Sequence, residues 1–262
     1  MANIGLAETA FWQRIAFIFH PELDWLNRRL RSTFGACFAV TFARCAGAMS
    51  VSMVTTLPLP QRLALSYAPE RARAQQLALF ALDARLGQAV RQANEPLAGQ
   101  LRLAWWREQL TLDPERRERS DELMDLLDLL PDSTGPLIEL VDGWEMLLGE
   151  QLGSLVISAF ADARAGAFAG IADINAKDAV LRAARRWAIA DLAAGLGKEE
   201  EKQAAVETAK LEADGRTRLP RAFRPIAVLE GLARRSLARG GESLLDGPGS
   251  LLLAMRLGLL GR

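Results

Sequence analysis

Few side chains in this 262-residue chain could carry a reaction, and their types narrow the chemistry. His20 is the one histidine, so triads and metal sites that rely on several imidazoles cannot be assembled. Cys37 and Cys45 are the two cysteines; their spacing matches no zinc or redox signature, which argues for a reducing compartment and against a disulfide framework. No G-x-x-x-x-G-K-[ST] loop occurs, nor a G-x-G-x-x-G after a strand, so ATP and dinucleotide chemistry lack their usual footholds. Carboxylates pair at helical spacing, Asp121 with Asp125 and Asp125 with Asp128, but they alternate with a leucine stripe and read as a solvated helix face. Gly240-Gly241 reads as a helix stop. Trp105 and Trp106 are adjacent and point about 100° apart on a helix, so one packs inside and the other faces a neighbouring helix, the N-terminal extension or a partner.

The elements that must position these groups are helices. From Leu57 onward apolar residues recur at three and four with breakers between the runs, and strand patterns are nearly absent, which predicts an all-α bundle of about eight helices. The expected helices run from Pro69 to Asn94, Leu97 to Leu110, Ser120 to Leu130, Leu137 to Ala165 after the turn residues Asp132 to Pro136, Ala176 to Leu196, Glu199 to Glu212, Pro225 to Arg239 and Leu244 to Leu260. Residues 1–56 lack this periodicity and read as an N-terminal extension: the product of a start codon placed too far upstream, a disordered or loosely packed extension, or a targeting segment; residues 57–262 read as one domain. Apolar runs fall short of the roughly 18–20 residues that cross a bilayer, so the expected location is cytoplasmic, with peripheral membrane attachment as the variant. Acids and bases balance at 32 each, which argues against a nucleic-acid partner. The distribution is uneven: Gly215 to Arg262 holds nine arginines against Glu230, Glu242 and Asp246. That stretch also holds Leu251 to Leu260, so it reads as a surface for an anionic membrane or an acidic partner.

Four landmarks in order resemble the squalene/phytoene synthase family. They are Leu79-Phe80-Ala81-Leu82-Asp83-Ala84-Arg85-Leu86; Gln100 to Glu108, containing Leu103-Ala104-Trp105-Trp106-Arg107; Leu140-Val141-Asp142-Gly143-Trp144; and Gly215-Arg216-Thr217-Arg218-Leu219-Pro220. Order and spacing agree over about Leu57 to Arg239. The resemblance implies an isoprenoid-synthase-like bundle, and for active members a transferase of prenyl groups whose two aspartate clusters hold magnesium against a diphosphate.

This chain departs from that pattern where the chemistry would sit. Aligned on Leu79 to Leu82, the first aspartate motif falls on Gly87, Gln88, Ala89, Val90 and Arg91, and no carboxylate remains. Near the second cluster Asp191 is the one candidate survivor. A diphosphate could instead be held by arginine forks, with Arg85, Arg91 and Arg102 as candidates. The expectation is therefore a catalytically degenerate member acting as a binding or assembly protein, similar to the family's assembly-factor relatives of respiratory complex I. No catalytic residue, metal or cofactor is assigned; the ligand set is Arg85, Arg91, Arg102 and Asp191. The candidate partners are an isoprenoid or lipid ligand, a protein, or an anionic membrane surface. The alternative is an active prenyl-diphosphate transferase with unconventional magnesium ligands.

Overall fold

The computed structural model describes residues 51–93, 95–118, 122–130, 134–149, 152–212 and 218–261. The chain divides into two compact units, 1–55 and 56–262. Of the first, the described residues only begin a short helix, Val51–Thr56, and the expectations for the segment before residue 51 lie outside the described residues.

The second unit is helical, with no strand among the described residues. Its α-helices are α1 (Leu59–Leu65), α2 (Glu70–Arg91), α3 (Pro96–Thr111), α4 (Glu122–Leu127), α5 (Thr134–Met146), α6 (Ser154–Gly170), α7 (Ile174–Gly195), α8 (Glu199–Lys210), α9 (Arg224–Leu237) and α10 (Gly247–Leu260). Proline sets several starts. It lies in the first turn of α1, α3, α9 and α10, where a missing N–H leaves no intrahelical bond unmade. α8 opens on Glu199, Glu200 and Glu201 and closes on Lys210, each charge placed to oppose the helix dipole.

The long apolar stretch expected to be one helix from Leu137 to Ala165 is two, and the first begins at Thr134, inside the expected turn. α5 ends at Met146, and α6 begins only at Ser154, after Gly149 and Gly153. Its apolar residues continue through the break, so periodicity alone runs the two together, while the glycines lower the helix propensity locally. The break lets α6 turn back on α5 and pack against both α5 and α7. α7 in turn carries α8 and α9, and α10 lies on α9. α2 packs against α3, α4, α5 and α6. The centre is aromatic: Phe80 of α2, Phe168 of α6 and Trp187 of α7 are fully buried, with ring centroids 5.1–5.8 Å apart.

The stop at Gly240-Gly241 is as expected. Both residues have positive φ, 83° and 79°, and the Gly241 N–H bonds back to the Ser236 carbonyl at 2.9 Å.

Candidate functional site

α2 places Asp83 four residues after Leu79 and three before Leu86, on its apolar face. α6 does the same with Arg164, midway between Phe160 and Phe168. Both side chains are 1% exposed, and they meet in the core. Arg164 Nε donates to Asp83 Oδ1 at 2.9 Å and Nη2 to Oδ2 at 2.6 Å, the two-pronged fork that guanidinium makes with carboxylate. From α5, Trp144 Nε1 donates a third bond to Asp83 Oδ1 at 3.0 Å.

A second carboxylate reaches the same arginine from α7. Asp191 Oδ2 lies 2.8 Å from Arg164 Nη1, close enough for an ion pair but not aligned for a hydrogen bond, and Asp191 is 27% exposed. Three rings surround the cation. Its central carbon lies 4.0 Å from the Trp187 ring centroid, 5.6 Å from that of Trp144 and 5.7 Å from that of Phe160.

Burial pushes the Asp83 carboxyl above its ordinary range; the charge and hydrogen bonds of Arg164 reverse that only in part, and Asp191 adds to the rise. Burial would lower the Arg164 guanidinium, but the charges of Asp83 and Asp191 outweigh it and hold the group above its ordinary value.

The four ligand residues expected from the sequence do not form one site. Arg85 and Arg102 come together with Gln88, Gln92, Trp105 and Trp106 in an open groove of about 510 Å³ between α2 and α3. Trp106 is buried and Trp105 half-buried, packed edge-on at 5.0 Å, so one of the pair faces inward as the helix geometry requires. Arg91 stands apart from the groove lining, 5.9 Å from the centroid of Trp144. Asp191 belongs to the buried cluster around Arg164.

Asp83 and Arg164 are the residues that sequence reading passed over. The signal was there: each is a lone charge at helical spacing among residues that must be buried.

Gly87 has a role of its own. A Cβ there would lie 2.8 Å from Trp144 Cη2, so the glycine is what lets the indole lie against α2 and reach Asp83. Two of the landmark segments also touch, because Arg107 of α3 bonds to Asp142 and, at 2.6 Å, to Glu145 of α5. The solvated face expected of α4 holds for Asp125, which is exposed, whereas Asp128 is bonded at 2.7 Å by Arg117. Asp121 and the Gly215 to Thr217 part of the fourth landmark lie outside the described residues.

The residues present do not fit the magnesium that the resemblance implies. α2 and α7 each bring one carboxylate toward a common point, but that point holds the Arg164 guanidinium, and Gly87 to Arg91 offer no acid. Among the described residues no three of His, Cys, Asp and Glu are grouped as metal ligands.

Comparison with protein families, with curated proteins and with solved structures finds no match to this chain.

Proposed function

We propose that this chain is a non-catalytic binding or assembly protein built on a squalene/phytoene synthase-like helical frame. The observation that carries the reading is the guanidinium of Arg164 between the carboxylates of Asp83 and Asp191. Magnesium needs close to six oxygen ligands in octahedral array. Here both Asp83 oxygens are engaged by the same arginine, and a divalent ion brought beside that guanidinium would meet like charge in a medium that screens poorly. The cation of this cluster is covalently part of the fold, so it can order the helices but cannot leave with a product.

A binding role is supported by the α2–α3 groove, where arginines able to fork an anionic oxygen lie beside indole rings able to cover an apolar chain. Incubation with magnesium and farnesyl or geranylgeranyl diphosphate is expected to release no diphosphate. Turnover at about 1 per second or faster, the ordinary enzymatic range, would contradict the reading. In the same samples a saturable change in Trp105 fluorescence is expected with the prenyl diphosphate, absent in Trp105→Phe and weakened about tenfold in Arg102→Glu. A chain that neither turns over nor binds the probe would retain the assembly role alone.

A further inference from the structure

α10 is apolar almost all round, with Arg256 its one charge. A helix of that composition is ordinarily enclosed, yet among the described residues α10 is covered on one side. Ser250, Ala254 and Gly258 form the buried stripe, and the Tyr67 ring packs so closely on Gly258 that a Cβ there would lie 2.3 Å from it. The opposite face carries Leu252, Leu259 and Leu260, exposed at 67%, 44% and 65%.

A cation meets the C-terminal end of α10. Arg224, at the start of α9, reaches the end of α10, where its Nη1 lies 3.4 Å from the Leu257 carbonyl. Arg221 and Arg218 are exposed just before it in the chain. Arg221 opens the short 3-10 turn Arg221–Phe223 that leads directly into Arg224, so its cation lies within one turn of that residue.

The acids of this part of the chain are committed elsewhere. Glu230 pairs with Arg186 and Arg234, Glu242 with Lys202, and Asp246 with Arg239. The pairings also shift the basic surface from where spacing alone would set it: Arg234 and Arg239 are engaged by acids, and Arg235 is half-buried beside Gly249.

We propose that the outer face of α10, together with Arg218, Arg221 and Arg224, docks on a membrane surface rich in anionic lipid. Leucines inserted among the acyl chains would be covered, while guanidiniums at their edge would fork lipid phosphates and carboxylates. At 14 residues α10 is about 21 Å long, too short to cross the hydrocarbon core, so it lies along the interface. A bilayer fits this face better than an acidic protein does. α10 itself carries none of the tryptophan or tyrosine anchors that protein interfaces favour beside its exposed leucines, and lipid needs no matching shape. The proposal does not rest on the reading of the Arg164 cluster.

Cosedimentation of the full chain with vesicles tests it. Vesicles of phosphatidylcholine with about 30% phosphatidylserine are expected to bind the protein at least about fivefold better than phosphatidylcholine alone at about 0.1 M salt, with the difference lost near 0.5 M. Arg218→Glu/Arg221→Glu should weaken binding about tenfold or more, and Leu259→Ser/Leu260→Ser should weaken it by a similar factor. All four substitutions are at exposed positions, and circular dichroism melts verify that the fold is kept. Salt-insensitive absence of binding, or binding unchanged in both double variants, would overturn the proposal. So would indifference to vesicles combined with salt-dependent capture on a polyglutamate peptide, which would assign the surface to an acidic protein.

Discussion

Arg164 answers two demands that pull against each other. A guanidinium in an aromatic core is costly to desolvate, and only close, well-directed carboxylates offset that cost. Asp83 supplies two aligned oxygens and Asp191 a third at the edge of solvent. Removing one member leaves a buried charge without its counterpart. Asp83→Ala and Arg164→Ala are therefore each expected to cost about 3–5 kcal/mol in urea denaturation, whereas Asp83→Leu/Arg164→Met, which removes both charges, should cost less than the sum of the singles. Purely additive losses would mean that the two side chains do not act as a pair.

The acid of this pair also sets a pH dependence. Because burial raises Asp83, the folded protein keeps a proton there at pH values where the unfolded chain has released it. The stability owed to this residue is greater below the ordinary carboxylate range, near pH 4, and falls as pH rises through the raised folded value. Urea melts of wild type and Asp83→Asn across pH should show that falling component in the wild type alone. A component that rises with pH would mean that Arg164 and Trp144 outweigh burial and hold the carboxyl below its ordinary range. Gly87 belongs to the same cluster. Gly87→Asp forces a side chain against Trp144 and should cost about 1–3 kcal/mol while shifting the indole emission.

Among the elements, the joint between α9 and α10 is the most exacting, since the chain reverses through two left-handed glycines. Gly241 has φ of 79°, and a Cβ there would lie 3.0 Å from that of Ala193. Gly241→Ala is expected to lower stability by about 1–2 kcal/mol on the backbone cost alone, measurable as a reduced urea midpoint with unchanged slope. This stop was legible in the sequence, as were the starts at Pro96 and Pro225, because proline and glycine act through their own backbone geometry. The gap between α5 and α6 was not, because Leu147, Leu148 and Leu152 keep the apolar pattern running through it. The candidate site was the least legible part. Asp83 and Arg164 are 81 residues apart, and a helical pattern states that each faces inward without stating which partner it meets. Arg85 and Arg102 did fall together, since α2 and α3 are consecutive helices joined by a short connection.

At the scale of the molecule, two regions divide the work. The centre holds the ionic cluster of Asp83, Arg164 and Asp191 among aromatic rings, and the periphery holds the α2–α3 groove and the exposed leucines of α10. Among the described residues no helix is long and apolar enough to cross a membrane, and Leu252, Leu259 and Leu260 of α10 are exposed. The central question is whether Arg164 occupies the electrostatic place that a metal would need. Calorimetric titration of magnesium into the full chain, in the presence of a non-hydrolysable farnesyl diphosphate analogue, tests this most directly. The expected result is the same heat as magnesium titrated into the analogue without protein, unchanged in Asp191→Asn. A saturable magnesium site that disappears in Asp191→Asn would show that the carboxylates remain open to a metal, and would contradict the account.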